Sequence, residues 1–171
     1  MIDLSSRIRD VPDFPQKGIL FKDITTLLKD GPAFKASIDQ ITQRVQNWGV
    51  DLVVGMESRG FIFAAPIAYN LGVGFAPVRK LGKLPAETIS AEYALEYGTN
   101  TLELHVDAVT DGMRVLVVDD LLATGGTVGA TIDLVERLGG EVAGTAFLVE
   151  LTFLDGRHRL EGYRVTTLIS Y

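Results

Sequence analysis

The apolar residues of the chain follow two alternating patterns. Short, valine-rich runs predict strands that are buried on both faces, and apolar residues at helical spacing predict amphipathic helices. The predicted strands are 51–55, 75–78, 115–118, 142–151 and 165–169, and the predicted helices are 31–48, 61–71 and 128–138. This alternation predicts an α/β fold with a doubly wound, mostly parallel sheet flanked by helices, in a single domain over residues 1–171.

Two segments depart from this alternation. Residues 1–28 are irregular and contain one predicted short strand at 19–24, so we interpret them as a hood or, equally, as an extension that packs on the domain or on a second subunit. Residues 87–105 predict a hairpin, because Leu102 and Leu104 alternate with polar residues. As a polar insertion between parallel strands, the segment 79–106 is predicted to form a flexible lid.

Residues 60–78 carry no charge and are about as long as a membrane span. Pro66 and Gly72 divide the stretch into a helix and a strand, and Pro66 is expected to bend that helix or to delay its start. We therefore interpret the stretch as the interior of the sheet and expect no membrane association.

The most informative stretch is 115–127, in which a buried strand is followed by two carboxylates, a glycine turn and a helix. Backbone N–H groups and the positive end of a helix dipole then surround one small space, where an anion binds. Glycines let the backbone approach a phosphate, and Thr127 is the predicted N-cap. The residues predicted to hold phosphate are Ala123, Thr124, Gly125, Gly126 and Thr127.

Asp119 and Asp120 indicate which phosphate ligand binds. No lysine follows the glycines, as a Walker loop requires, and the glycine spacing does not fit a dinucleotide fingerprint. Paired carboxylates accept hydrogen bonds from vicinal hydroxyls, so the pattern indicates a ribose 5-phosphate. Because neighbouring side chains on a strand point to opposite faces, we expect the extended geometry to break at Asp120. The alternative is a plain strand–turn–helix joint in which an aspartate caps the helix.

Two further segments are predicted to lie at the same carboxyl edge of the sheet. The turn 57–60 brings Arg59, whose planar fork suits phosphate oxygens, near Asp119. The strand 75–78 is followed by a loop with three cations, Arg79, Lys80 and Lys83, which we interpret as a diphosphate-binding loop. The alternative for each segment is an exposed, solvated turn; taken alone, Arg59 favours that alternative, whereas the position of the basic loop after a strand favours pyrophosphate binding.

The composition limits the classes of partner. A net charge of −6 and a pI of about 4.9 argue against nucleic acid. The chain has no cysteine, which excludes disulfides and fits an intracellular protein, and its first residues lack the apolar core of a signal peptide. We therefore expect a cytoplasmic protein.

Residues 115–127 closely resemble the phosphoribosyl pyrophosphate (PRPP) motif of the type I phosphoribosyltransferases, and 121–127 resemble the adenine phosphoribosyltransferase branch. The likeness continues at 12–15, 18–24, 57–60, 79–80, 82–85, 95–98 and 149–151, and Leu81 departs from the family pattern. It implies the type I phosphoribosyltransferase fold and transfer of the 5-phosphoribosyl group from PRPP to adenine, giving AMP and pyrophosphate in purine salvage. It also implies Mg²⁺ as cofactor and a homodimer.

The resemblance also implies roles for single residues. Glu96 acts as general acid/base at the purine, Arg59 acts on the leaving pyrophosphate, and Tyr97 helps to close the lid. Mg²⁺ is expected mostly on the oxygens of PRPP, with Asp119 as the one candidate protein ligand, and a cis peptide bond is implied between Glu57 and Ser58. The adenine-binding residues are Leu20, Phe21, Lys22, Leu121 and Leu151, and the pyrophosphate-binding residues are Glu57, Ser58, Arg59, Arg79, Lys80 and Lys83.

Two rival functions remain open at this stage. One is a phosphoribosyltransferase for another base, such as hypoxanthine or xanthine, although Ala130 and Thr131 offer no donor for a 6-oxo group. The other is a non-catalytic, PRPP-sensing regulator on the same fold. A regulator of that kind needs a basic DNA-binding segment, and the sequence shows none.

Overall fold

The structure is a computed structural model that describes residues 2–94 and 99–171. Its chain divides into two units, 1–40 and 41–171. In the first unit, β1 (Arg9–Pro12) pairs antiparallel with β2 (Leu20–Asp23), which confirms the strand predicted at 19–24. The short helix α1 (Thr25–Leu28) follows, and α2 (Gly31–Val45) begins in this unit. The predicted hood, 1–28, lies within it.

The second unit is built on one twisted sheet. Among the described residues this sheet has seven strands, in the order β5-β6-β4-β3-β7-β8-β9. The strands are β3 (Leu52–Met56), β4 (Gly74–Lys80), β5 (Thr88–Ala94), β6 (Thr99–His105), β7 (Arg114–Leu122), β8 (Glu141–Glu150) and β9 (Val165–Ser170). Strands β4, β3, β7, β8 and β9 are parallel, whereas β5 and β6 form an antiparallel hairpin that joins β4 through β6. The mostly parallel α/β fold is therefore confirmed.

Two helices link the parallel strands of this sheet. α3 (Gly60–Leu71) packs on β3 and β7, and α4 (Gly126–Arg137) packs on β5, β6, β7 and β8. α3 begins at Gly60 and runs through Pro66, so a delayed start at the proline is wrong. Within the part of the chain that the structure describes, no helix combines the length and the apolar character needed to cross a bilayer.

The helix predicted at 31–48 ends three residues early, at Val45. Trp48 instead lies against Gly144, where a Cβ would come within 2.3 Å of the indole ring. The guanidinium of Arg164 covers the same ring at 6.0 Å from its centroid. Trp48 therefore fits the apolar spacing because it packs on the sheet. A helix that continued to residue 48 would not allow this packing.

Candidate active site

The two aspartates lie near the carboxyl end of β7. Its first residues, Val115 to Val118, are buried, and β3 pairs with β7 only as far as Val118. The expected break at Asp120 is wrong, because β7 stays extended and paired with β8 as far as Leu122. Beyond Val118 the side of β7 next to β3 is open, so both carboxylates reach the same space although they point to opposite faces.

The turn after β7 encloses a small cavity of about 60 Å³. Gly125 stands at the N-cap of α4 with a φ of 81°, a left-handed conformation that favours glycine. Thr127 is therefore the second residue of the helix, and its predicted N-cap role is wrong. The first N–H groups of a helix have no carbonyl partner within it, so this turn offers donors to an anion. The walls are formed by Asp119, Leu121, Leu122, Ala123, Thr124, Gly125, Gly126, Thr127 and Val128.

A larger cavity of about 370 Å³ adjoins the small one, and Asp119, Leu121, Ala123 and Thr127 line both. Its walls combine the three segments that the sequence predicted to meet at this edge of the sheet. They are formed by Glu57, Ser58, Arg59, Lys80, Tyr93, Asn100, Leu102, Asp119, Asp120, Leu121, Ala123 and Thr127. Tyr93, Asn100 and Leu102 were not predicted; they come from the hairpin, whose strand pattern gave no sign of which residues face the cavity.

Arg59 and Asp120 join two of these segments. The Nε of Arg59 donates to Oδ2 of Asp120 at 2.5 Å, and the Asp120 side chain is only 7% exposed while that of Arg59 is 46% exposed. The cis peptide bond implied between Glu57 and Ser58 is present in the turn that carries Arg59.

Asp119 lies beside this ion pair in a different electrostatic setting. Burial raises the pKa of Asp119 well above its ordinary value, and the neighbouring charge of Asp120 raises it further. Oδ1 of Asp119 accepts a hydrogen bond from the Asp120 backbone N–H at 2.8 Å. Gly60 allows α3 to approach, since a Cβ there would come within 2.7 Å of the same oxygen.

The basic loop is held by a carboxylate. Oε2 of Glu57 accepts the Lys80 backbone N–H at 3.0 Å, and Arg79 binds both carboxylate oxygens at 3.2 and 3.3 Å. These two donors lower the pKa of Glu57, and the hydrogen bond from the Lys80 N–H has the larger effect. Arg79 also donates to the Lys83 carbonyl at 3.1 Å. Arg79 and Lys83 are absent from the described walls of the larger cavity, and their contact with pyrophosphate stays a prediction.

A second loop supports the phosphate turn. Short 3-10 helices cover Thr152–Leu154 and Gly156–Leu160 in this loop. The backbone at Gly156 lies so close that a Cβ would be 2.1 Å from the Ala123 carbonyl oxygen. Glu150, at the end of β8, accepts from Arg157 at 2.8 and 2.5 Å and anchors this loop, and the same contact lowers the pKa of Glu150. The sequence did not predict a role for Gly156, because the close approach of its backbone to Ala123 leaves no signal in the local residue pattern.

The remaining predicted site residues fall into three groups. Leu20, Phe21 and Lys22 belong to β2 in the first unit, where Phe21 meets Phe14 edge to face at 5.1 Å. Leu151 follows β8 and donates its N–H to the Leu122 carbonyl at 3.0 Å, outside the described cavity walls. Glu96 and Tyr97 lie outside the described residues.

A glycine turn at a helix N-terminus with paired aspartates and a basic turn beside them is the arrangement expected of a phosphoribosyl-transferring class of protein, and residues 24–165 match the family model of the phosphoribosyl transferase domain. The adenine phosphoribosyltransferase of Chloroflexus aurantiacus is 61% identical over 169 residues, covering 99% of this chain and 98% of the relative. The crystal structure of the enzyme of that name from Thermoanaerobacter pseudethanolicus is 58% identical, with a TM-score of 0.95 and 98% of each chain covered.

A third similar protein has a ligand in its structure. Adenine phosphoribosyltransferase from Saccharomyces cerevisiae, in complex with D-2,5-dideoxy-2,5-imino-altritol 1,6-bisphosphate and adenine, is 40% identical, with a TM-score of 0.90 and 96% of each chain covered. The present chain belongs to the phosphoribosyltransferase family, in its adenine phosphoribosyltransferase branch.

Proposed function

We propose that this chain transfers the 5-phosphoribosyl group of PRPP to adenine, giving AMP and pyrophosphate. The observation that carries the proposal is the wall that the small and the large cavity share, with Asp119 in that wall and Asp120 beside it in the larger cavity. A 5′-phosphate in the small cavity brings the ribose hydroxyls to these carboxylates and C1′ toward Arg59 and Lys80. The larger cavity, about 370 Å³, has the size of a small-molecule site.

In this reaction the bond from C1′ to pyrophosphate breaks and its electron pair leaves with the pyrophosphate. The adenine N9 donates the pair that forms the new bond to C1′. Arg59 and Lys80 stabilise the charge on the leaving group, and Asp119 and Asp120 hold the sugar while positive charge develops on its ring. The adenine proton passes to Glu96, a role that rests on the family resemblance.

Mg²⁺ belongs to the proposal as a cofactor that comes mostly with PRPP. The carboxylate oxygens of Asp119 and Asp120 are the hard donors that this ion prefers, so the cavity fits it. When bound, Mg²⁺ neutralises part of the diphosphate charge. The hairpin segment 79–106 is proposed to act as a lid that keeps water from C1′, with Tyr97 helping to close it.

Adenine recognition is the second part of the proposal. Leu20, Phe21, Lys22, Leu121 and Leu151 are proposed to bind the base. Leu121 is supported by its place in the wall of the larger cavity, and the other four by the family resemblance. The adenine in the yeast relative supports adenine as the acceptor over an oxopurine.

We further propose that the chain works as a homodimer in the cytoplasm. α3 is apolar on nearly all sides, and Ile62 and Tyr69 on it are 38% and 85% exposed, which favours a second copy as the cover of this helix. Sedimentation velocity of Ile62→Asp tests the dimer, with Phe153→Asp, an exposed apolar position on another loop, as the matched control. If Ile62→Asp still sediments as a dimer, the interface does not include this face of α3.

The deciding experiment supplies the purified chain with PRPP and Mg²⁺, and with adenine, hypoxanthine or xanthine in parallel. We expect AMP and pyrophosphate in equal amounts from adenine, and loss of turnover without Mg²⁺. If an oxopurine is turned over faster than adenine, that oxopurine is the substrate in place of adenine. Binding of PRPP without turnover of any base would favour the regulator.

A further inference from the structure

Glu103 is a buried carboxylate to which no role has been given. It lies in β6 and is 8% exposed, and it is not part of the cavity walls described above. A buried carboxylate is costly unless hydrogen bonds or a cation compensate its charge. Among the described residues, no ion pair includes Glu103.

The hydrogen bonds to Glu103 come from the basic loop and the hairpin. Its Oε2 accepts the backbone N–H of Gly82 at 2.8 Å, and its Oε1 accepts the hydroxyl of Thr88 at 3.2 Å. Gly82 has a φ of 76°, so its N–H is presented from a tight turn. The carboxylate therefore fixes the tip of the loop that joins β4 to the hairpin.

Two cations of the site, Arg79 and Lys80, end β4, and the third, Lys83, lies in the turn that follows. Lys83 donates its backbone N–H to the Lys80 carbonyl at 3.2 Å, and Leu81 donates to the Thr101 carbonyl at 3.2 Å. Arg79 connects the Lys83 carbonyl to Glu57, which also holds the Lys80 N–H. The turn is thus hydrogen-bonded directly to Lys80, which ends β4 and lines the larger cavity.

We infer that Glu103 is a positioning residue for the diphosphate: by holding the Gly82 N–H it sets the turn that carries Lys83 and is hydrogen-bonded to Lys80. This inference rests on the proposed function, because it assumes that the larger cavity receives pyrophosphate. Length and hydrogen-bonding capacity at position 103 then matter more than charge.

Two conservative variants separate length from charge. Glu103→Gln keeps the length and an oxygen acceptor but removes the charge. Glu103→Asp keeps the charge but draws the carboxylate back by about 1.5 Å, one C–C bond, out of reach of the Gly82 N–H. The readouts are the Kd of pyrophosphate in the presence of Mg²⁺ and the Kd of AMP, both by calorimetry on the full chain, together with the Tm of each variant.

We expect Glu103→Asp to bind pyrophosphate about tenfold more weakly, the factor for loss of a hydrogen bond to a charged acceptor, while AMP binding stays within about twofold. Glu103→Gln should bind both ligands within about threefold of the unmodified chain, since its acceptor remains. The matched control is Glu92→Asp, which shortens an exposed acid on the other strand of the hairpin and should change neither Kd.

Other outcomes overturn the inference. If Glu103→Asp keeps pyrophosphate affinity, or loses AMP affinity to the same extent, Glu103 only supports the fold. If Glu103→Gln loses as much pyrophosphate affinity as Glu103→Asp, the charge of Glu103 is needed as well as its length, which contradicts an effect of position and hydrogen bonding alone. If the unmodified chain itself binds no pyrophosphate, the proposed function fails instead, which is a distinct result.

Discussion

Arg59 donates from Nε to Oδ2 of Asp120 at 2.5 Å, across 61 positions of sequence. One partner lies in the turn proposed to bind the leaving group, and the other belongs to the pair proposed to bind the sugar. The contact therefore sets the distance between the two halves of the site. It also compensates a nearly buried carboxylate, which would otherwise be costly.

Arg59→Lys keeps the positive charge of Arg59 but loses its planar fork. Because a lysine cannot hold both Asp120 and a diphosphate in fixed geometry, we expect kcat/KM for PRPP to fall about 100-fold. Steady-state rates of AMP formation measure this change. Arg137→Lys, at an exposed ion pair on α4, is the control and should stay near the unmodified rate. If Arg59→Lys and Arg137→Lys form AMP at equal rates, Arg59 does not stabilise the transition state.

Gly156→Ala tests the support of the phosphate turn. A Cβ at this position would be 2.1 Å from the Ala123 carbonyl oxygen, so the turn must shift. We expect ribose 5-phosphate to bind at least about tenfold more weakly and stability to fall by about 1–3 kcal/mol, as for other overpacked sites. The control is Gly129→Ala in α4, where a Cβ meets nothing within 4 Å.

In a helix interior, the control substitution should be neutral or should stabilise by about 0.5–1 kcal/mol. Calorimetry with ribose 5-phosphate and urea unfolding provide the two readouts. Gly156→Ala with unchanged affinity would show that the phosphate turn does not depend on the loop behind it.

Much of this architecture was predictable because it depends on local patterns. The run Val115 to Val118 is apolar on both faces, which fixes a central strand, and the residues after it must then lie at the carboxyl edge. The same rule predicted that the turn with Arg59 lies near the aspartate pair. The end of β7 was not predictable, since its length past Val118 depends on pairing with β8, which continues to Leu122 after pairing with β3 has ended.

The basic loop shows a second limit of sequence reasoning. Three cations close together predict an anion site, but the sequence does not show that Glu57 binds Arg79, or that Glu103 holds Gly82. Each of these contacts joins a strand residue to a turn that follows another strand, and the partners follow from the sheet order. A count of charges therefore overstates how many face the cavity.

Asp119→Asn tests the electrostatics of the aspartate pair. An ordinary aspartate has a pKa of 3.8, and burial raises the pKa of Asp119 well above this in the folded protein. The folded state therefore binds more protons between these two values. The stability that Asp119 contributes is fully present below pH 3.8 and is lost as the pH rises through its folded pKa.

Because asparagine cannot ionise, we expect Asp119→Asn to be more stable than the unmodified chain near neutral pH, with a difference that shrinks toward about pH 4. Turnover should fall about tenfold or more, because a carboxylate acceptor for the sugar is lost. Urea unfolding as a function of pH measures the first effect. Asp133→Asn, an exposed aspartate on α4, should show no such pH-dependent gain. If Asp119→Asn is less stable than the unmodified chain at every pH, the pKa of Asp119 is not raised in the folded protein.

Glu96→Gln tests the proton transfer that was inferred from the family resemblance. A carboxylate near the purine can accept the proton that adenine loses as N9 bonds to C1′, whereas a neutral amide cannot. We expect kcat to fall about 100-fold or more, the usual contribution of a general acid/base, while PRPP binds with unchanged affinity. Glu92→Gln, in β5, is the control for loss of charge. Rapid turnover by Glu96→Gln would mean that water or another group takes the proton, and a parallel loss of PRPP affinity would indicate that Glu96 shapes the site.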